Sequence, residues 1–343
     1  MQGPRETVLV TGAGGSIGSA LTEALAETPS RFLVLLDHSE ANLHDVHMRL
    51  MAAGRPDHAA VLGDVLDRPL LAELLERHRP ATIYHAAAFK HVPLMESNPI
   101  AVIRNNALGT WELARAAVAF AVERLLVIST DKAVNPRSIM GASKRLAELV
   151  VLRMSDARTR INAVRLSNVL GSRGSVRPLF QSQIARGGPV TVTHSEARRF
   201  FLTLAETVEL IVAAAALDES GAILLPRMNG PLKVLDLARQ MIHDEGLRTP
   251  REVEILFTGL RPGDKLEEQL LSEKEATAPT SDARLRRVNG PAVDPAALDA
   301  ALAHIAASVR ERNLAALLGE LGALIPEYTP SDTLLRLLAP AVA

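Results

Sequence analysis

Three consecutive residues, Thr130, Asp131 and Lys132, set a hydroxyl, a carboxylate and an amine side by side. They follow Arg124 to Ile128 (RLLVI), an apolar run with the length of a buried strand. In an open parallel α/β sheet, ligands bind just beyond the carboxyl ends of the strands, so an acid and a base there can exchange protons with a substrate. Met140 and Lys144 follow, four residues apart on a predicted helix and therefore on one face of it. The whole stretch from Ser129 to Glu148 reads STDKAVNPRSIMGASKRLAE. Taken alone it also fits an ordinary loop pair followed by an Asn135-Pro136 turn. The rest of the chain weighs against that plainer reading.

A second constellation stands near the start. Thr7 to Val10 is a β-rich run leading into TGAGGSIG, residues 11–18, and a helical pattern then continues to about Ala26. Glycines at positions 12, 15 and 18 let the backbone turn tightly and approach a pyrophosphate. The phosphate would rest on the amides of the helix N-terminus, around Ser16 and Ile17. Phe32 to Leu36 is a second strand, closed by Asp37 nineteen residues after Gly18. A carboxylate there can bind both ribose hydroxyls of an adenosine and would repel a 2′-phosphate. No arginine directly follows Asp37, so NAD is favoured over NADP.

The elements that must position these residues alternate. Ala59 to Leu62 leads to Gly63-Asp64-Val65, where Asp64 and Val65 are candidates to meet the adenine, and Asp67 can cap a helix from Arg68 to Arg79. Ala81 to His85 is a fourth strand, followed by the small residues Ala86, Ala87 and Ala88, which let a flat cofactor lie close. A loop through Phe89, Lys90 and His91 comes next, then a helix from about Ala101 to Val122. Ile161 to Leu166 reads as a sixth strand ending at Ser167-Asn168-Val169. This pattern predicts an α/β fold: a Rossmann-like, doubly wound parallel sheet with a smaller C-terminal substrate-binding lobe. Residues 1–170, with a returning segment at about 200–226, form the cofactor domain in this reading; 171–199 and 227–343 form the lobe. Gly171 to Pro189 has the glycine and arginine content of a pocket-forming insertion. The last third is expected to be helical, with Ala296 to Leu324 packing as helices.

Composition narrows the function classes. The chain has 343 residues, 48% hydrophobic and 22% charged, with a net charge of −1, so nothing favours nucleic acid or an anionic membrane. It has no cysteine, which excludes disulfide and thiolate chemistry. No apolar run reaches the roughly 18 residues of a membrane span, and MQGPRETVLVTG leaves no room for a signal peptide. A cytoplasmic address is expected. Ten histidines are scattered, His44 and His47 lie on a helix that reads as solvated, and no metal site is expected.

Taken together, TGAGGSIG (11–18), IYHAAAFKHVPLMESNP (83–99), STDKAVNPRSIMGASKRLAE (129–148), RLSNVLGSRGSVRPLF (165–180) and LRPGDKLEEQLL (260–271) resemble the extended short-chain dehydrogenase/reductase superfamily. Within it they are similar to the CapD-type polysaccharide-biosynthesis branch of UDP-N-acetylglucosamine 4,6-dehydratases. Many members carry a long N-terminal membrane region, so the resemblance implies a short, soluble form here. It also implies hydride transfer from C4 of the hexose to NAD, after which the C5 proton becomes acidic. Lys132 is then the base at C5, and Asp131 the acid for the departing 6-hydroxyl. These roles require a neutral amine and a protonated carboxyl near neutral pH, so both pKa values should shift. Lys144 would hold the nicotinamide ribose. The superfamily usually has tyrosine where this chain has Met140, so the 4-hydroxyl proton needs another route, through Thr130 or Asp131. The exchange implies the subset that retains configuration at C5. For the substrate, UDP-N-acetylglucosamine, the family implies Asn168, Arg173, Arg199 and Arg261 near the diphosphate and Pro178 to Phe180 against the uracil, with Lys90 and His91 nearby. A homo-oligomer, dimer or higher, is implied as well.

Two alternatives compete. A UDP-sugar 4-epimerase or decarboxylase keeps the fold, yet the epimerase should need the tyrosine lost at Met140, and neither reaction explains an Asp-Lys pair. A non-catalytic NAD-binding regulator fits the lost tyrosine but not the intact Thr-Asp-Lys run.

Overall fold

The computed structural model describes residues 6–28, 31–156, 158–246, 253–291 and 294–338. The expectation drawn from the N-terminus falls partly on residues 1–5, outside the described residues. Six parallel strands come first: β1 (Glu6–Thr11), β2 (Arg31–Asp37), β3 (His58–Leu62), β4 (Thr82–His85), β5 (Arg124–Thr130) and β6 (Arg160–Leu166). They lie in the order β3-β2-β1-β4-β5-β6, and the strand Ala222–Pro226 continues the sheet in parallel beside β6. The order reverses between β1 and β4, which opens the crevice where doubly wound sheets bind ligands.

The strands read as near-continuous apolar runs because both sheet faces are covered. Helix α1 (Ser16–Ala26), α2 (Glu40–Ala52) and the helix Leu204–Ala216 lie on one face, where Val8, Val10, Leu33, Leu35 and Ile211 are buried together. Helix α3 (Arg68–His78) packs on the other side, where Leu9, Leu71, Leu146 and Val150 share a core. The helix expected from Ala101 to Val122 runs from Pro99 to Ala119 as α5 (Pro99–Val102), a π-turn at Ile103–Leu108 and α6 (Gly109–Ala119), and the short α4 (Val92–Glu96) precedes it. The π-turn aims Asn105 and Asn106 inward, a distortion common at functional sites.

Helix α7 (Ile139–Met154) carries Met140 and Lys144 and is buried along most of its length. Its start is well satisfied: Ser138 Oγ accepts from Gly141 N at 3.0 Å, and the buried Glu96 accepts from Ile139 N at 2.7 Å.

The C-terminal region departs from the expected division. Ala276–Pro279 and Leu285–Asn289 are antiparallel strands that extend the central sheet past Ala222–Pro226. The helices Pro295–Glu311 and Leu314–Leu324 follow, and their Leu298, Leu302, Leu317 and Leu321 share the core that buries Met140. Residues 276–289 and 295–324 therefore belong to the sheet body, not to a substrate lobe running from 227 to the end. Leu285 and Val288 are buried while Arg286 and Arg287 are exposed, so no clean alternation announces the strand Leu285–Asn289. The smaller lobe is Val176–Ala185, Val234–Gly246 and a parallel pair, Val190–Val192 with Ile255–Phe257.

Candidate active site

The turn after β1 is packed against the start of the β4 loop. Gly12 has φ +68°, and a Cβ there would lie 2.6 Å from Ala87 N; one at Gly18 would lie 2.0 Å from Gly12 O. Only glycine fits either place. Gly15 caps α1 without a side-chain hydrogen bond, which leaves the first-turn amides facing outward for an anion. Asp37 ends β2 and is buried; its carboxylate accepts from Gly14 N and Ser39 N, both at 2.9 Å. Asp64 holds its own turn by accepting from Leu66 N at 3.0 Å, and Val65 is buried beside it. Ala86 and Ala87, half-buried, floor the crevice between these turns. A tight glycine turn, an unfilled helix N-terminus, a carboxylate at the end of the second strand and small residues beneath are the fit a dinucleotide such as NAD requires.

His85, at the end of β4, is buried between two threonines. Thr110 Oγ1 donates to Asn106 O at 2.6 Å, so it accepts from His85 Nε2–H at 3.0 Å, which leaves Nδ1 to accept from Thr11 Oγ1 at 2.7 Å. Burial, and to a lesser degree the Lys144 charge, pushes this imidazole down to about 3, so it is neutral and structural. Asn106 ties the β4 loop down: it accepts from Phe89 N at 2.8 Å and donates to Phe89 O at 2.9 Å and Ser143 Oγ at 3.0 Å.

At the end of β5 the Thr-Asp-Lys run bends into a short 3₁₀ turn, Asp131–Ala133. Asp131 is fully buried; its Oδ1 accepts from Thr130 Oγ1 at 3.0 Å and from Lys132 Nζ at 2.9 Å, while Oδ2 is buried without a hydrogen-bond partner. Lys132 Nζ also donates to Asn168 Oδ1 at 3.2 Å and lies 3.3 Å from Glu268 Oε1. Burial alone would lower the pKa of Lys132, but Asp131 and then Glu268 outweigh it, and the net displacement is upward. This corrects the expectation of a neutral amine: without substrate the lysine is held charged. Lys144 behaves oppositely. Burial pushes it down to about 8, with Glu148 one turn away offsetting part of the effect. Met140 is 3% exposed, in the apolar core beneath.

The residues assigned to the substrate are not gathered in one place. Asn168 stands beside Lys132, its amide donating to Phe200 O at 3.1 Å. Arg199 is turned onto the 265–268 turn: it donates to Leu266 O at 3.0 Å and Lys265 O at 2.7 Å, and its Nε lies 3.8 Å from Glu268 Oε1. Arg261 is paired with Asp264 at 2.8 Å and faces an open cleft of about 1010 Å³ lined also by Asn135, Arg137, Lys265 and Arg336. Arg173 lies over the glycine turn instead, its backbone N donating to Ser16 Oγ at 3.0 Å and its guanidinium to Asn42 Oδ1 at 2.5 Å. Lys90 fastens this loop by donating to Arg173 O at 2.8 Å, and His91 backs it, since a Cβ at Gly174 would meet the His91 ring at 2.6 Å. Burial lowers the pKa of both Lys90 and His91. Phe180 is 1% exposed in the lobe core with Ile184, Val190 and Val192, so it offers no face to a base; Pro178, half-buried, lies one turn-edge nearer the surface.

Two groups escaped the sequence reading. Glu268 lay inside the quoted LRPGDKLEEQLL motif but was not singled out; its signal was an acid amid cations with no helical partner. Arg165, fully buried behind the site, donates to Glu148 at 2.8 and 3.0 Å, to both oxygens of Glu275 at 3.0 Å and to Leu270 O at 2.8 Å. It ties β6 and α7 to the segment that carries Glu268.

The polysaccharide biosynthesis protein family matches residues 8–289. The chain belongs to that family. It is 44% identical over 79% of its length to the capsular polysaccharide biosynthesis protein CapD of Staphylococcus aureus, and 45% identical over 80% to the probable polysaccharide biosynthesis protein EpsC of Bacillus subtilis (strain 168). It spans 46% of each, about half the length of these curated relatives. The crystal structure of Pen from Bacillus thuringiensis is similar over 85% of this chain and 90% of that one, at 28% identity and a TM-score of 0.76. Family and fold thus agree with the resemblance in the motifs. Among the described residues no helix is long and apolar enough to cross a membrane.

Proposed function

We propose that this chain is a UDP-N-acetylglucosamine 4,6-dehydratase that uses NAD catalytically and retains configuration at C5, serving polysaccharide or deoxyamino-sugar synthesis. The observation that carries the reading is the 2.9 Å contact between Asp131 and Lys132 at the end of β5, within the same site as a buried methionine at position 140. An epimerase has no use for that acid–base pair. Membership of the family supports the sugar-nucleotide class.

Gly12, Gly15, Ser16, Ile17 and Gly18 would cradle the pyrophosphate, Asp37 the adenosine ribose, Asp64 and Val65 the adenine, and Lys144 the nicotinamide ribose. The chemistry NAD supplies when bound is reversible hydride transfer, off C4 and later onto C6. Lys132 takes the C5 proton once C4 is a ketone, and gives it back after water has left. Asp131 gives its proton to the 6-hydroxyl. Met140 holds no proton, so the one leaving the 4-hydroxyl passes to Asp131, directly or across its 3.0 Å bond with Thr130. One proton is released at O4 and one is needed at O6, so Asp131 serves both steps and ends as it began. Asn168, Lys90, His91 and Arg261 remain the candidates for the UDP moiety; Arg199 orders the turn between them.

The test is to incubate the purified protein with UDP-N-acetylglucosamine and no added cofactor. A product lighter by one water supports the dehydratase. Interconversion at C4 without loss of water would establish the epimerase instead, and bound NAD with no reaction on any UDP-sugar would establish a non-catalytic role.

A further inference from the structure

Lys132 meets more than one acid. Its Nζ faces Asp131 Oδ1 at 2.9 Å, Asn168 Oδ1 at 3.2 Å and Glu268 Oε1 at 3.3 Å. The ammonium donates hydrogen bonds to Asp131 and Asn168, and Glu268 adds a second ion pair from another direction. Glu268 is 4% exposed and arrives from a different part of the chain. Its Oε2 is buried without a hydrogen-bond partner, with Lys265 Nζ 3.7 Å away, and Arg199 Nε lies 3.8 Å from its Oε1. The charged groups facing Lys132 are therefore Asp131 and Glu268 on one account and Arg199 and Lys265 on the other. A carboxylate buried this deeply, with one oxygen free of hydrogen bonds, costs stability unless it serves the cation beside it.

We propose that Glu268 is a positioning residue for Lys132, holding its amine in direction and in charge, so that the working acid–base unit is Asp131–Lys132–Glu268 and not the adjacent pair alone. A base that takes a proton from carbon ends the step positively charged, and a carboxylate already in place stabilises that charge as it forms. The same carboxylate keeps Lys132 protonated at rest. In turnover Asp131 is filled by the 4-hydroxyl proton and passes it to the departing 6-hydroxyl, so the neutral amine arises when Lys132 releases one Nζ proton to solvent through its 22% exposed side chain, and that proton is regained once C5 has been reprotonated. This consequence for turnover rests on the dehydratase reading; the effect on Lys132 does not.

The experiment is peptide-level mass spectrometry of Lys132 acylation against pH, in the full chain without substrate. The side chain is 22% exposed, enough for a small reagent to compete. In Glu268→Gln the pH of half-reaction should fall by about one unit or more, Glu268→Asp should stay near wild type, and Lys265→Met should move it upward by removing a like charge. In turnover, Glu268→Gln should lower kcat and shift its pH profile while KM and bound NAD are unchanged. Coincident Lys132 titrations in wild type and Glu268→Gln overturn the proposal; if that variant does not fold, an unshifted Lys265→Met does so. A shifted titration in a protein that consumes no UDP-sugar would keep the Glu268 assignment and remove the dehydratase reading.

Discussion

Gly141 is pressed against the backbone of Lys132: a Cβ at position 141 would lie 2.4 Å from the Lys132 carbonyl oxygen. The helix that carries Met140 and Lys144 thus touches the turn that carries the acid and base. Backbone cannot swing aside as a side chain can, so Gly141→Ala must part the two. A displacement of even a fraction of an ångström between reacting groups lowers turnover by on the order of 10-fold or more. The expected outcome is a large fall in kcat with bound NAD retained, measured by steady-state turnover and by cofactor released on denaturation. Unchanged kcat would mean that the contact does not set the site's geometry.

Lys144 should matter to the cofactor first. Losing a charge-assisted hydrogen bond costs about 1.5–3 kcal/mol, so Lys144→Met should weaken NAD binding by roughly 10- to 100-fold. Calorimetric titration of NAD into stripped protein measures it. Lys132→Met, by contrast, should leave that affinity as it was.

The buried imidazole of His85 predicts how stability depends on pH. Its pKa is about 3 in the folded chain against 6.5 as the ordinary value, so between those values the unfolded chain binds the extra proton. Stability from this group is complete above pH 6.5 and falls as pH drops, at about 1.4 kcal/mol per unit. Melting temperature should therefore decline more steeply from pH 7 to 5 in wild type than in His85→Gln. Equal slopes would show that the histidine is not the group responsible.

Arg165 is the centre of a fully enclosed charge network. Arg165→Met would leave Glu148 and Glu275 buried without their main counter-charge, and breaking such a pair costs about 3–5 kcal/mol. The denaturation midpoint should drop accordingly, more than for the exposed pair Arg284→Ala, where solvent screening leaves little to lose.

The glycine turn, Asp37, the Thr-Asp-Lys run and Lys144 were legible in the sequence because each depends on neighbours a few residues away. A strand end, a helix start and a shared helix face are local patterns, and the alternation of strands and helices follows from them. What was not legible depends on distant parts of the chain meeting. Glu268 becomes part of the site only where the 265–268 turn reaches Lys132. Arg199 looked like a phosphate ligand by type, yet backbone carbonyls of that turn engage its donors. Arg173 was expected at the substrate and lies over the cofactor turn, because Ser16, Asn42 and Lys90 hold it there. Phe180 looked available to a base, and the lobe needed it for its core. The strands at 276–289 carry too little alternation to be read in advance, and the π-turn at Ile103–Leu108 is a register slip inside an otherwise helical pattern.

The most direct test of the whole account is mass spectrometry and NMR of UDP-N-acetylglucosamine turned over in deuterated water, comparing wild type with Lys132→Met. The account predicts a product lighter by one water that carries solvent deuterium at C5 in the retained configuration. It also predicts neither dehydration nor deuterium at C5 in Lys132→Met, although that variant still binds NAD. Dehydration by Lys132→Met at the wild-type rate, or a wild-type product with no deuterium at C5, would contradict the assignment of Lys132 as the base.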